Sequence, residues 1–78
     1  MPFFTVRQNK RYQATVSLNF VERLASNEMV GRKFRDLGFT EVQVTGKGRT
    51  RYVRALWPAK EASAEIPPQI RSIEEIET

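Results

Sequence analysis

The chain of 78 residues and 9.0 kDa has room for one domain and a short appendage. It contains no cysteine and no histidine, which removes disulfides, thiolate metal sites, a cysteine nucleophile and the commonest general base. A hydrophobic content of 40% suffices for a globular fold, and thirteen Lys+Arg against nine Asp+Glu give +4 and a pI near 10.0.

Phe4 and Val6 are the first alternating apolar pair, followed by a turn at Gln8-Asn9-Lys10. Tyr12, Ala14, Val16 and Leu18 then alternate with Arg11, Gln13, Thr15 and Ser17. Period two over this length predicts a half-buried strand with the even positions inward. Phe4 and Val6, of the same parity, either continue this strand or, through a three-residue loop at 8–10, make residues 3–8 a partner strand. The hairpin is the favoured reading, with Val6 opposite Tyr12 and Phe4 opposite Ala14.

Asn19 followed by Glu22 has capping-box spacing, so a helix is expected from Phe20, and Gly38 is a natural stop. Its apolar residues change phase. Phe20, Val21, Leu24 and Ala25 cluster on one side at 100° per residue, whereas Val30, Phe34 and Leu37 cluster nearly opposite. One straight helix cannot bury both groups beside Arg32, Lys33, Arg35 and Asp36. A break at Ser26-Asn27, both good N-caps, predicts a short helix near 20–25 and a longer one near 28–37.

Val42 and Val44 begin a hairpin that turns at Gly46-Lys47-Gly48 and returns from Arg49 to Trp57. A Lys47-Gly48 loop sets Val42 opposite Val53 and directs Val42, Val44, Val53, Ala55 and Trp57 to the helix side. Gln43, Thr45, Tyr52, Arg54 and Leu56 then face outward. Pro58 ends the strand. The element order is β(β)αββ. It describes a small two-layer α+β sandwich with a mostly antiparallel sheet, close in order alone to an incomplete ferredoxin-like plait.

Charge divides the chain. Residues 1–60 hold twelve Lys+Arg against four Asp+Glu, a net +8, while 61–78 hold Arg71 against five glutamates including Glu74, Glu75 and Glu77, a net −4. Residues 1–58 therefore read as the body and 59–78 as an acidic tail. Ile66, Ile70, Ile73 and Ile76 follow Pro67-Pro68 at helical spacing, so a short docked helix is expected.

Chemistry is sparse. The serines have no histidine to activate them, and Gly46-Lys47-Gly48-Arg49-Thr50 lies between strands, where a phosphate loop would need a strand and a helix. No catalytic residue, metal ligand or cofactor is expected, and the chain is read as non-enzymatic. The residues that could carry binding are Arg11, Lys47, Arg49, Arg51, Tyr52, Arg54 and Leu56, on the basic hairpin and the outer sheet face. If the two turns share a sheet end, their cations form one basic edge. A protein partner, possibly acidic, is expected, as for accessory or inhibitor proteins such as those of phages and mobile elements. Single-stranded nucleic acid held by phosphate contacts and stacking on Tyr52 is the alternative. Self-association through sheet edges, as a homodimer or structural subunit, is a third. No stretch approaches the roughly 18 uncharged residues that span a bilayer and no secretory signal is visible, so a cytoplasmic protein without a membrane partner is the expectation.

Overall fold

A computed structural model of the chain describes residues 3–76; Glu77, counted above in the acidic run, lies outside the described residues. In chain order the elements are β1 (Phe3–Val6), β2 (Lys10–Ser17), a 3₁₀ turn at Glu22–Leu24, α1 (Asn27–Asp36), β3 (Thr40–Lys47), β4 (Thr50–Trp57), β5 (Ala62–Glu65) and β6 (Ile70–Ile76). Four strands form one antiparallel sheet in the order β3-β4-β2-β6, and β1 pairs with β5 in a separate ribbon. Both β2 and β3 run antiparallel to β4, which lies between them. They are therefore parallel to each other, and α1 lies in the crossover that joins them. The protein is α+β, with two antiparallel sheets and one α-helix.

The period-two pattern of β2 sets the core. Tyr12, Ala14, Val16 and Leu18 are buried with Val53 and Ala55 of β4, beneath Val30 and Phe34 of α1 and beside Phe39. Gly31 lets the helix lie close on β3. A Cβ there would meet Val44 at 3.4 Å and Val42 at 3.6 Å. On the same side of the sheet Phe4 of β1 meets Tyr12 edge to face at 5.5 Å.

The helix breaks where the phase change demands it. Asn19 and Glu22 bond reciprocally, Asn19 Oδ1 accepting from Glu22 N–H at 2.7 Å and Glu22 Oε1 accepting from Asn19 N–H at 3.1 Å. The segment they start extends only to the 3₁₀ turn. Ser26 then caps α1, its hydroxyl accepting from Met29 N–H at 3.1 Å. Of the apolar side of the first segment only Ala25 packs against the core, and Phe20, Val21 and Leu24 remain exposed. Gly38 ends α1 at φ 114.

Four other expectations are corrected. Residues 3–6 do not pair with β2, because β4 takes one edge of β2 and β6 takes the other. β1 pairs instead with β5, Phe3 opposite Glu65 and Val6 opposite Ala62. The β3–β4 loop is Gly48-Arg49, and Val44 rather than Val42 faces Val53. That shift of two residues leaves every side chain on its expected face, and Gly46 and Gly48 absorb it at φ 91 and 71. Residues 41 and 42 then share the single partner position between Leu56 and Arg54, a bulge with Glu41 at φ 50.

The segment 59–78 contains strands and no helix. The helical reading fails because a bulge in β6 brings Ile70 and Ile73 to one face, whereas Ile76 points to the other. Ile70 pairs with Val16, Ser72 with Thr15 and Ile73 with Ala14, so Arg71 is an extra residue. The extra residue puts Ile70 and Ile73, three apart, on the same inward face. Trp57 is only half-buried rather than a core residue. Its ring meets Phe39 at 5.0 Å, lies 3.1 Å from where a Gly38 Cβ would be, and its Nε1–H donates to Lys60 C=O at 2.8 Å.

Candidate functional site

The seven residues singled out from the sequence separate into three places. Tyr52, Arg54 and Leu56 alternate outward on β4, and Arg11 lies opposite Leu56 on β2. Pairing across the sheet arranges this face in rows, of which Lys47, Thr50 and Ser17 make the one at the hairpin end and three more follow. Thr45, Tyr52, Thr15 and Ser72 form the first, Gln43, Arg54, Gln13 and Glu74 the second, and Leu56, Arg11 and Ile76 lie in the third. Tyr52 is 45% exposed near the middle of the first row. The helix and the β1–β5 ribbon both pack on the opposite face through Val30, Phe34 and Phe4.

The charges of the outer face are nearly balanced. Arg11 Nη2 lies 3.2 Å from Glu41 Oε1, and Glu74 shares a row with Arg54. Glu74 comes from the acidic segment, so β6 brings carboxylate to a face that the body alone would leave cationic. Arg11, Arg54 and Lys47 against Glu41 and Glu74 give a polar surface with a small positive excess and three larger apolar or aromatic side chains, Tyr52, Leu56 and Ile76.

Lys47 and Arg49 lie at the tip of the β3–β4 hairpin, where Arg49 Nε–H donates to Leu18 C=O at 3.3 Å. The first turn is at the other end of the sheet. Lys10 pairs with Trp57, whereas Ser17 pairs with Thr50. The single cationic edge expected if the turns coincided does not form. Near the first turn Arg7 Nη1 stands 3.8 Å from Glu75 Oε1, and Tyr12 Oη, which accepts from Arg7 N–H at 2.6 Å, donates to the same carboxylate at 3.4 Å.

Arg51 is not a surface residue. It is 4% exposed, and its guanidinium donates to Gly48 C=O at 3.1 Å, Asn27 Oδ1 at 2.8 Å and Arg23 C=O at 3.0 Å. It thus joins the hairpin tip, the start of α1 and the 3₁₀ turn. Its burial was legible in the sequence, because position 51 shares the inward parity of Val53, Ala55 and Trp57. The sequence reading missed the exposed trio Phe20, Val21 and Leu24. Their clustering at 100° per residue reads as the buried side of a short helix, and only the 3₁₀ turn shows that they have no face to bury.

Family models, curated proteins and solved structures were compared with the chain, and none matches. The surfaces themselves therefore carry the functional argument. Among the described residues no group of three or more His, Cys, Asp or Glu is placed to hold a metal ion, and no helix is long and apolar enough to cross a membrane.

Proposed function

We propose that this chain is a small non-enzymatic binding protein that recognises a protein partner through the outer face of its four-stranded sheet. One observation carries the reading. The tail, which could have covered Tyr52 and Leu56, extends the sheet as β6 and leaves that face open. A charge this close to balance favours a protein over a polyanion, whose affinity comes mainly from released counterions and so needs a concentration of unpaired cations. Tyr52, Leu56 and Ile76 supply the aromatic and aliphatic contacts that anchor protein interfaces, with Arg54 and the glutamines as adaptable hydrogen-bonding neighbours. The sheet order, a split β-α-β with β5 where a second crossover helix would lie, supports reading the scaffold as an incomplete ferredoxin-like plait. Edge-to-edge assembly is the weaker reading, because the bulges on β3 and β6 and the charges of Lys47, Arg71 and Glu74 discourage further pairing.

The double substitution Tyr52→Ser, Leu56→Ser tests the assignment on a face whose loss should leave the fold intact. Wild-type protein immobilised in a native lysate at high salt should retain a defined partner that the double variant loses, with the melting curve little changed. Retention of the same proteins by both forms would remove the outer face from consideration. Sedimentation of the purified chain as a dimer dispersed by the double variant would identify a second copy as the occupant.

A further inference from the structure

Phe20, Val21 and Leu24 are 70%, 74% and 78% exposed, a concentration of large apolar side chains that a small soluble surface rarely carries on one turn. The backbone beneath them is held in place from several sides. Asn19 and Glu22 close the capping box, Gln69 Nε2–H donates to Glu22 Oε2 at 3.3 Å, and Leu18 N–H donates to Arg49 C=O at 2.7 Å. From below, the buried Arg51 guanidinium holds Arg23 C=O, and Asn27 Nδ2–H donates to Gly46 C=O at 3.1 Å. A turn fixed in this way cannot fold its apolar side chains into the core, and it loses little conformational entropy on binding.

Cations surround the same turn. The Arg23 guanidinium sits 4.4 Å from the centre of the Phe20 ring. Arg49 and Arg71 line a polar hollow beside it, together with Ser17, Asn19 and Gln69, and Lys47 is exposed at the adjoining hairpin tip. Glu22 also borders the hollow, and both its oxygens already accept hydrogen bonds. Four cations against one carboxylate thus border three protruding apolar side chains.

We propose that this end of the molecule is a contact site for an anionic phospholipid surface. Phe20, Val21 and Leu24 enter the boundary between headgroups and acyl chains, while Arg49 and Arg71 take a headgroup phosphate and Arg23 and Lys47 lie over neighbouring ones. A bilayer supplies hydrocarbon and phosphate at adjacent depths, matching apolar side chains that project beside cations. Nucleic acid supplies phosphate and bases that could stack on Phe20, and would leave Val21 and Leu24 in water. Attachment by a surface turn needs no spanning segment, and the site is separate from the outer sheet face.

The test is flotation with vesicles of pure phosphatidylcholine and with vesicles of phosphatidylcholine and phosphatidylglycerol in equal parts. The protein should float with the mixed vesicles at low salt and stay behind with the neutral ones. Phe20→Ser with Leu24→Ser should weaken binding at least about tenfold, and Lys47→Gln with Arg71→Gln about fivefold or more per charge removed. All four side chains project from the surface, so each variant should melt like wild type. The outer-face variant Tyr52→Ser, Leu56→Ser should float normally, which separates this inference from the proposed function. Absence of binding to mixed vesicles at low salt would overturn the proposal. Unchanged flotation of the Phe20, Leu24 variant would overturn it as well, since only the overall positive charge would then be at work. Binding of a random single-stranded oligonucleotide that the Phe20, Leu24 variant weakens, without vesicle binding, would reassign the site to nucleic acid.

Discussion

Arg51 gives the most direct measure of how the hairpin tip, the 3₁₀ turn and the start of α1 are held together. The side chain is 4% exposed and has three acceptors, and among the described residues no carboxylate lies within ion-pair distance of it. Arg51→Leu removes three hydrogen bonds from a charged donor, each worth about 1.5–3 kcal/mol. Against this, the variant no longer bears the several kcal/mol of dehydration that a buried ion carries. Gly48 C=O and Arg23 C=O belong to turns and regain water only in part, so the balance is a loss of about 2–3 kcal/mol. A domain of this size changes its Tm by about 4–8 °C per kcal/mol, so the expected fall is about 10–20 °C by circular dichroism. Arg51→Lys separates charge from shape. It keeps the positive charge but lacks the planar fork that reaches three acceptors at once, and it should lose most of the same stability. A Tm for Arg51→Leu equal to or above wild type would show that dehydration dominates. The guanidinium would then not be the tie between hairpin, helix and turn.

Other outcomes follow from the backbone and the strand pairing. Gly46→Ala should cost about 2 kcal/mol, since φ is 91 and the new Cβ would stand 2.7 Å from Thr50 C=O. Gly48→Ala, at φ 71 with open space around it, should cost only about 1 kcal/mol; equal losses in urea denaturation would refute the close approach at Gly46. Removal of residues 59–78 leaves β1 without its partner and one edge of β2 bare. A Tm lowered by more than about 15 °C, or no cooperative transition at all, is expected, and an unchanged melting curve would mean the segment is not part of the folded sheet. Ser26→Ala should lose about 1 kcal/mol through the missing cap of α1, measured by the same denaturation series.

What the sequence disclosed depended on how local the determining physics was. Strand faces were legible because side chains alternate strictly, so Tyr12, Ala14, Val16, Val53 and Ala55 could be assigned inward without knowing which strands pair. The break before α1 was legible because the apolar phase jumps between Ala25 and Val30 and two good caps lie between. Partner choice was not legible. Parity alone allowed Val6 to face Tyr12, and only the occupancy of both β2 edges sends β1 to β5. The isoleucines of β6 misled for a physical reason, since a bulge sets Ile70 and Ile73 three apart on one face while Ile76, three further on, serves the other. For the candidate site, Tyr52, Arg54, Leu56 and Arg11 were placed on the face they occupy. Arg51 was misplaced because its charge was weighed above its parity.

The pairing of β1 with β5 also sets the order in which the chain can complete itself. Phe3 and Phe4 are synthesised some sixty residues before Glu65 and Ala64, the residues opposite them. The central strand β2 likewise waits for residues 70–76 to cover its second edge. At about 5–20 residues per second, those early strands spend seconds with open edges and exposed aromatic side chains. Closing loops of this length is slow relative to forming α1 or the β3–β4 hairpin. Folding is therefore expected to finish only after residues 62–76 have left the ribosome, with the helix and hairpin ready beforehand and the oldest strand docked last.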